Sequence, residues 1–147
     1  MKLAVLGAGA WGTALAAAWA PHRAVTLWAR DAAAVDAMRA ARVNARYLPD
    51  CPLPAELAFS ADLDEALAGA ELIVVAVPSG ALRPTLTALA RRPTLPPLIW
   101  VSKGFEPGSR KLPHQLVAEL LPDRQETGVL SGPSFAQEVA HGCPTAL

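Results

Sequence analysis

The chain has 147 residues, 52% apolar and 18% charged, a balance that supports one domain with a real core and excludes a disordered chain. Thirteen basic residues against thirteen acidic ones leave no net charge, so nothing suggests a nucleic-acid stripe or a polybasic anchor, and no apolar stretch approaches the ~20 residues of a transmembrane helix. Cys51 and Cys143 and the histidines His22, His114 and His141 are scattered without metal-ligand spacing, so no metal is expected, and the thiols read as reduced and cytoplasmic.

Residues 2–6 form a short apolar run and predict a strand. It leads into Gly7-Ala8-Gly9-Ala10-Trp11-Gly12, with an alanine-rich helix predicted over 11–20. Strand, G-x-G-x-x-G and helix in that order make the dinucleotide-binding fingerprint. Gly7 permits the tight turn, Gly9 lets a pyrophosphate approach the backbone, and Gly12 lets the helix pack closely on the strand. The helix start aims free N–H groups and a positive dipole end at the phosphates. A secretory signal peptide competes for this segment, with Lys2 ahead of an apolar stretch and Ala18-Trp19-Ala20 as a faint cleavage site. Three glycines in six residues and Pro21 just past the cut argue against it. A plain strand-turn-helix explains the apolar residues but gives Gly9 no duty.

Residues 24–29 predict a second strand, ending near the position about 20 residues past the glycines where a ribose-reading group belongs. Arg30 there would favour a 2′-phosphate; Asp31 would accept from a 2′-hydroxyl or cap the helix predicted over 32–41. Residues 42–55, with Asn44, Tyr47, Pro49, Pro52 and Pro54, read as irregular. A short strand follows at 57–59, then a helix over 63–67 opened by Asp62 and stopped at Gly69. Residues 71–77 are the most strand-like of all and suit the buried centre of a parallel sheet. Pro78-Ser79 ends that strand, and a helix runs to about residue 92. A buried strand at 98–101, a helix at 111–121 and a final strand at 128–130 lead to Ser131-Gly132-Pro133-Ser134. A short helix is predicted over 135–140, and another strand begins at 144–147.

The alternation predicts an α/β fold: a doubly wound, mostly parallel Rossmann-type sheet with helices on both faces, as one dinucleotide-binding domain over 1–147. Ligands in such sheets sit beyond the carboxyl ends of the strands. The loops at 7–12, 30–31, 78–79, 102–104 and 131–134 should therefore converge on one crevice. Lys103 would pair there with a phosphate, or be a solvated loop lysine. Ser131 or Ser134 would cap the helix that follows, or join its N–H groups in an anion site.

Six segments in order, Gly7-Ala8-Gly9-Ala10-Trp11-Gly12-Thr13-Ala14-Leu15, Leu27-Trp28-Ala29-Arg30, Asn44-Ala45-Arg46-Tyr47-Leu48-Pro49, Val77-Pro78-Ser79, Ser102-Lys103-Gly104-Phe105-Glu106 and Ser131-Gly132-Pro133-Ser134-Phe135-Ala136-Gln137-Glu138, resemble the bacterial NAD(P)-dependent glycerol-3-phosphate dehydrogenases. The resemblance runs over essentially the full length. It implies reduction of dihydroxyacetone phosphate to sn-glycerol 3-phosphate for phospholipid synthesis, with NADP or NAD as cofactor. It also implies that Ala10, Trp11, Arg30, Tyr47 and Ala136 line the nicotinamide nucleotide. Lys103 would touch cofactor and substrate; Gly132 and Ser134 would contact the substrate. With the residue-level reading added, the expected cofactor set is Gly7, Gly9, Ala10, Trp11, Gly12, Arg30, Asp31, Tyr47, Lys103 and Ala136. Ala10 departs from the serine common in the family. The family's catalytic lysine and helical C-terminal domain would lie beyond Leu147, so no catalytic residue is expected here and the chain alone should be nearly inactive. The expected partners are a small phosphate substrate and a second copy of the chain, with no nucleic acid and no membrane span. The alternative is a stand-alone nucleotide-binding module or an inactive truncated product, which would need no second anion site at Lys103 and residues 131–134.

Overall fold

The computed structural model describes residues 1–144. In chain order the elements are β1 (Lys2–Leu6), α1 (Ala10–Trp19), β2 (Ala24–Trp28), α2 (Ala32–Ala41), β3 (Val43–Asn44), β4 (Leu48–Pro52), β5 (Ala58–Ser60), α3 (Leu63–Leu67), β6 (Leu72–Val75), α4 (Ser79–Ala90), β7 (Leu98–Trp100), α5 (Pro113–Leu120), β8 (Thr127–Val129) and α6 (Ala136–Ala140). Of the strand start expected at 144–147, residues 145–147 lie outside the described residues.

Six strands form one parallel sheet in the order β5-β2-β1-β6-β7-β8. β1 is central, with Leu3 opposite both Val25 of β2 and Leu72 of β6. The chain winds outward from β1 in one direction and then, from β6, in the other. The crevice between the carboxyl ends of β1 and β6 is thus the topological switch point, where such sheets bind ligands.

Both faces of the sheet are covered, which explains why its strands read as continuous apolar runs. Leu3 and Val5 face a core shared with Leu15 of α1 and Val35 and Met38 of α2. Ala4, Leu6, Ile73 and Val75 face the opposite core, with Leu82, Leu86 and Leu89 of α4 and Leu116 and Val117 of α5. Asp31 and Asp62 cap their helices as expected; each carboxylate accepts two first-turn N–H groups.

The segment expected to be irregular is instead a two-stranded antiparallel hairpin, β3–β4. Its prolines hid it, because proline cannot donate to a ladder. In a two-stranded sheet every strand is an edge, and here Pro49 and Pro52 face solvent while Leu48 and Cys51 turn inward. The hairpin and α6 close over α1 through Ala14, Leu48, Cys51, Ala136 and Val139.

Candidate functional site

The three glycines of the β1–α1 turn do different jobs. Gly7 has φ +117°, and an added Cβ would stand 2.6 Å from the Ala76 carbonyl oxygen. Its N–H donates to the Trp28 oxygen at 2.9 Å, which closes the turn. A Cβ on Gly12 would lie 1.9 Å from the Gly7 oxygen and 3.0 Å from Ala76 Cβ, so helix and turn touch only because Gly12 has no side chain. Gly9 differs. It is extended, with φ −74°, and nothing lies within 4 Å of where its Cβ would be. The protein packs around two glycines and leaves the space over the third unfilled. The N–H groups of Ala10, Trp11 and Gly12 open α1 without helical acceptors, and the positive helix end adds to their attraction for an anion. A pyrophosphate fits such a turn.

A cation stands nearby. Lys103 follows β7, just before Gly104 at φ +87°. Its ammonium donates to the Gly132 oxygen at 3.1 Å and lies 5.8 Å from the centroid of the Trp11 ring. Three motifs that are far apart in sequence thereby meet. Ser102 supports the loop from beneath, its hydroxyl donating to the Val77 oxygen at 2.6 Å. Ser134 Oγ is buried with no partner among the described residues. A buried hydroxyl without a partner costs about 1–3 kcal/mol, which a polar ligand group would recover.

Neither Ser131 nor Ser134 caps α6. The helix starts at Ala136, one residue later than a Ser134 cap requires, and the Phe135 N–H donates to the Glu138 carboxylate at 3.3 Å instead. Asp31 Oδ1 accepts from the N–H groups of Ala33 at 3.0 Å and Ala34 at 3.3 Å, so of its two expected roles the structure displays the cap. Arg30 is exposed at the end of β2 and makes no hydrogen bond or ion pair among the described residues. Tyr47 is 48% exposed at the hairpin turn, its ring 5.1 Å from the Arg46 guanidinium. Ala136 packs on the α1–hairpin cluster of Ala14, Leu48 and Cys51.

Two features escaped the sequence reading. One is Asn44, a buried amide bonded to Ala8 O and Thr13 Oγ1. The other is an ionic buttress behind the Lys103 loop. Arg83 of α4 grips Glu106 through Nε at 2.7 Å and Nη2 at 2.9 Å, and reaches Glu119 of α5 at 2.8 Å; Lys111 holds the far side of Glu119 at 2.5 Å. Ser109 also donates to Glu106. Hydrogen bonds from Arg83, then Ser109, hold the Glu106 carboxyl below its ordinary value. Arg83, then Lys111, draw Glu119 down to about 2. Charge separations of 23 and 36 residues give no local pattern from which to read such pairs. On the far side of the hairpin, Cys51 Sγ lies 3.7 Å from His141 Nε2, and burial, with Asp50 adding to it, pushes the thiol up.

Two shallow depressions, about 300 and 510 Å³, lie at the opposite, amino-terminal end of the sheet around Leu95, Leu121 and Arg124. No glycine turn opens onto them. Phosphate-binding chemistry is instead gathered at the carboxyl ends: open backbone donors at Gly9 and α1, one ammonium at Lys103, and the unpaired Ser134 hydroxyl.

The model of a family described as the NAD-dependent glycerol-3-phosphate dehydrogenase N-terminus matches residues 2–147. The NAD(P)+ glycerol-3-phosphate dehydrogenase of Thiobacillus denitrificans is 76% identical over 147 residues, which is all of this chain and 45% of that protein. The corresponding protein of Dechloromonas aromatica is 52% identical over the same span. The chain thus spans somewhat under half the length of these curated relatives. Among solved structures, it resembles the glycerol-3-phosphate dehydrogenase of Coxiella burnetii with a TM-score of 0.86 and 40% identity, over 98% of this chain and 44% of that one. The yeast enzyme gives a TM-score of 0.79 at 25% identity, over 96% and 44%.

Proposed function

Because the chain belongs to the family of the NAD-dependent glycerol-3-phosphate dehydrogenase N-terminus, we propose that it is the cofactor-binding part of an oxidoreductase that reduces dihydroxyacetone phosphate to sn-glycerol 3-phosphate with NADP or NAD. The observation that carries this reading is the meeting of Trp11, Lys103 and Gly132 beside the open space over Gly9.

A bound nicotinamide dinucleotide supplies the hydride. The chain's own residues bind and orient. The turn at Gly9 and the first N–H groups of α1 take the pyrophosphate. Arg30 takes the 2′-phosphate of NADP, and Trp11, Tyr47 and Ala136 flank the nucleotide. Lys103 supplies positive charge between cofactor and substrate, while Gly132 and Ser134 take the substrate's phosphate or keto oxygen. The catalytic lysine implied by the family belongs to the part of the relatives that this chain does not span. General acid/base help is typically worth ~10²–10⁴ in rate, so the 147-residue chain alone should turn over very slowly. Phe105, Val129 and Phe135 are exposed apolar side chains around this end, 63%, 60% and 73% accessible, and suit a surface covered in a longer enzyme. A cytoplasmic homodimer completes the reading. A stand-alone nucleotide-binding module would have no use for Lys103 at Gly132.

The test is a pair of variants in the full-length enzyme. Lys103→Ala should raise the Michaelis constants for both NADP and dihydroxyacetone phosphate; Ser134→Ala should raise only the second. Unchanged constants for dihydroxyacetone phosphate in both variants would reduce these residues to loop structure.

A further inference from the structure

Asn44 is 4% exposed at the end of β3, and nothing in the function above employs it. Its Nδ2 donates to the Ala8 oxygen at 2.9 Å and to Thr13 Oγ1 at 2.8 Å, while its Oδ1 accepts the Tyr47 N–H at 3.2 Å. The amide can sit only this way round. The Ala8 oxygen only accepts and the Tyr47 N–H only donates, so a flipped amide would lose both bonds.

The bond to Ala8 has a directional consequence. The Ala8 oxygen and the Gly9 N–H belong to one trans peptide unit and point opposite ways. With the oxygen held by Asn44, the Gly9 N–H is held away from the hairpin. No group among the described residues accepts that N–H. Glycine restrains its flanking peptides less than any other residue, and nothing stands within 4 Å of the missing Gly9 side chain to restrain it sterically. The bond from Asn44 is the one hydrogen bond this peptide unit makes among the described residues.

We propose that Asn44 is the positioning residue of the phosphate-binding turn. Its amide sets the 8–9 peptide so that the Gly9 N–H faces the pyrophosphate, and it couples that setting to the position of Tyr47. The proposal rests on the dinucleotide reading of the site.

The test has two readouts in the 147-residue chain, each on Asn44→Ala and on Asn44→Asp, which keeps the shape but turns an acceptor toward the Ala8 oxygen. The first is the residual dipolar coupling of the Gly9 N–H without ligand. It should change in both variants while couplings in β1 stay fixed. The second is NADP affinity by titration calorimetry, which should fall about tenfold or more, as expected when a charge-assisted hydrogen bond is lost. Leu48→Ala is the structural control: Leu48 is 1% exposed in the same hairpin, so it should lower the melting temperature yet leave NADP affinity intact. Thr13→Val spares the bond to Ala8 and should also keep affinity, and Asn44→Asp, which is nearly isosteric, carries both readouts if Asn44→Ala does not fold. An unchanged Gly9 coupling, or an equal loss of affinity in Leu48→Ala at matched stability, would overturn the proposal. If the Gly9 coupling responds while the parent chain binds neither NADP nor NAD, the dinucleotide reading falls and the positioning of the peptide stands.

Discussion

Gly9 and Gly12 lie in one turn, yet substitution should separate them cleanly. A Cβ on Gly12 would be 1.9 Å from the Gly7 oxygen, where real contacts stay beyond 3.0 Å, and the obstructing atom is backbone. In Gly12→Ala, α1 must move off the sheet. Overpacking of this kind typically costs ~1–3 kcal/mol. At roughly 2–4 °C per kcal/mol for a chain of this size, the melting temperature should fall by about 2–12 °C. The Cβ of Gly9→Val would have nothing within 4 Å, and φ −74° with ψ −177° suits a β-branched residue. Its structural cost is the exchange of glycine for a poor N-cap, about 1 kcal/mol or less, and hence at most about 4 °C. Its functional cost is larger. The isopropyl group fills the space a pyrophosphate would use, forfeiting at least two charge-assisted hydrogen bonds at roughly 1.5–3 kcal/mol each. That corresponds to a loss of NADP affinity of about a hundredfold or more. Differential scanning calorimetry without ligand and titration calorimetry with NADP read the two effects separately. A Gly9→Val chain that binds like the parent, or a Gly12→Ala chain that melts like the parent, would refute the reasoning.

Arg30→Ala should weaken NADP about tenfold, the worth of one charged hydrogen bond, and leave NAD nearly unchanged; equal losses for both nucleotides in parallel titrations would count against Arg30 as the 2′-phosphate partner. The Arg83 network makes a pH prediction. Glu106 and Glu119 are both held below the ordinary carboxyl value of 4.5, Glu119 to about 2, so their stabilisation is complete above pH 4.5 and fades as pH falls toward about 2. The melting temperature of the parent should drop more steeply across that window than that of Arg83→Met, and parallel curves would show that the pairs contribute nothing. Cys51, buried and with its thiol pushed up, should react with iodoacetamide more slowly than the exposed Cys143; comparable rates under native conditions would contradict its placement.

The sheet was legible because its signals are local. The apolar runs at 2–6 and 71–77 mark strands buried on both faces, and Asp31 and Asp62 mark helix starts by their own side-chain bonds. The glycine turn was legible because Gly7 and Gly12 answer steric demands set within the turn itself or by Ala76 at the end of β6, and Gly9 stands out between them as a glycine that packing does not require. The hairpin was not, since its prolines argue against pairing and the reason they are tolerated, an exposed edge on each strand, is a property of the assembled sheet. Asn44 followed from the same blindness: in an irregular segment a buried amide has no expected partner. The serines at 131 and 134 read as caps because the sequence marks the approach to α6 but not the residue where helical geometry begins. Lys103 could be placed at a strand end from the alternation of elements, but its approach to Trp11 and Gly132 depends on how three loops pack.

The most direct test of the central claim is to map amide chemical shifts of the 147-residue chain on titration with NADP. The account predicts shifts concentrated at Gly9, Ala10, Trp11, Arg30, Tyr47 and Lys103, at the carboxyl ends of the strands. Shifts gathered instead around Leu95, Leu121 and Arg124 at the opposite end, or none at saturating nucleotide, would contradict it.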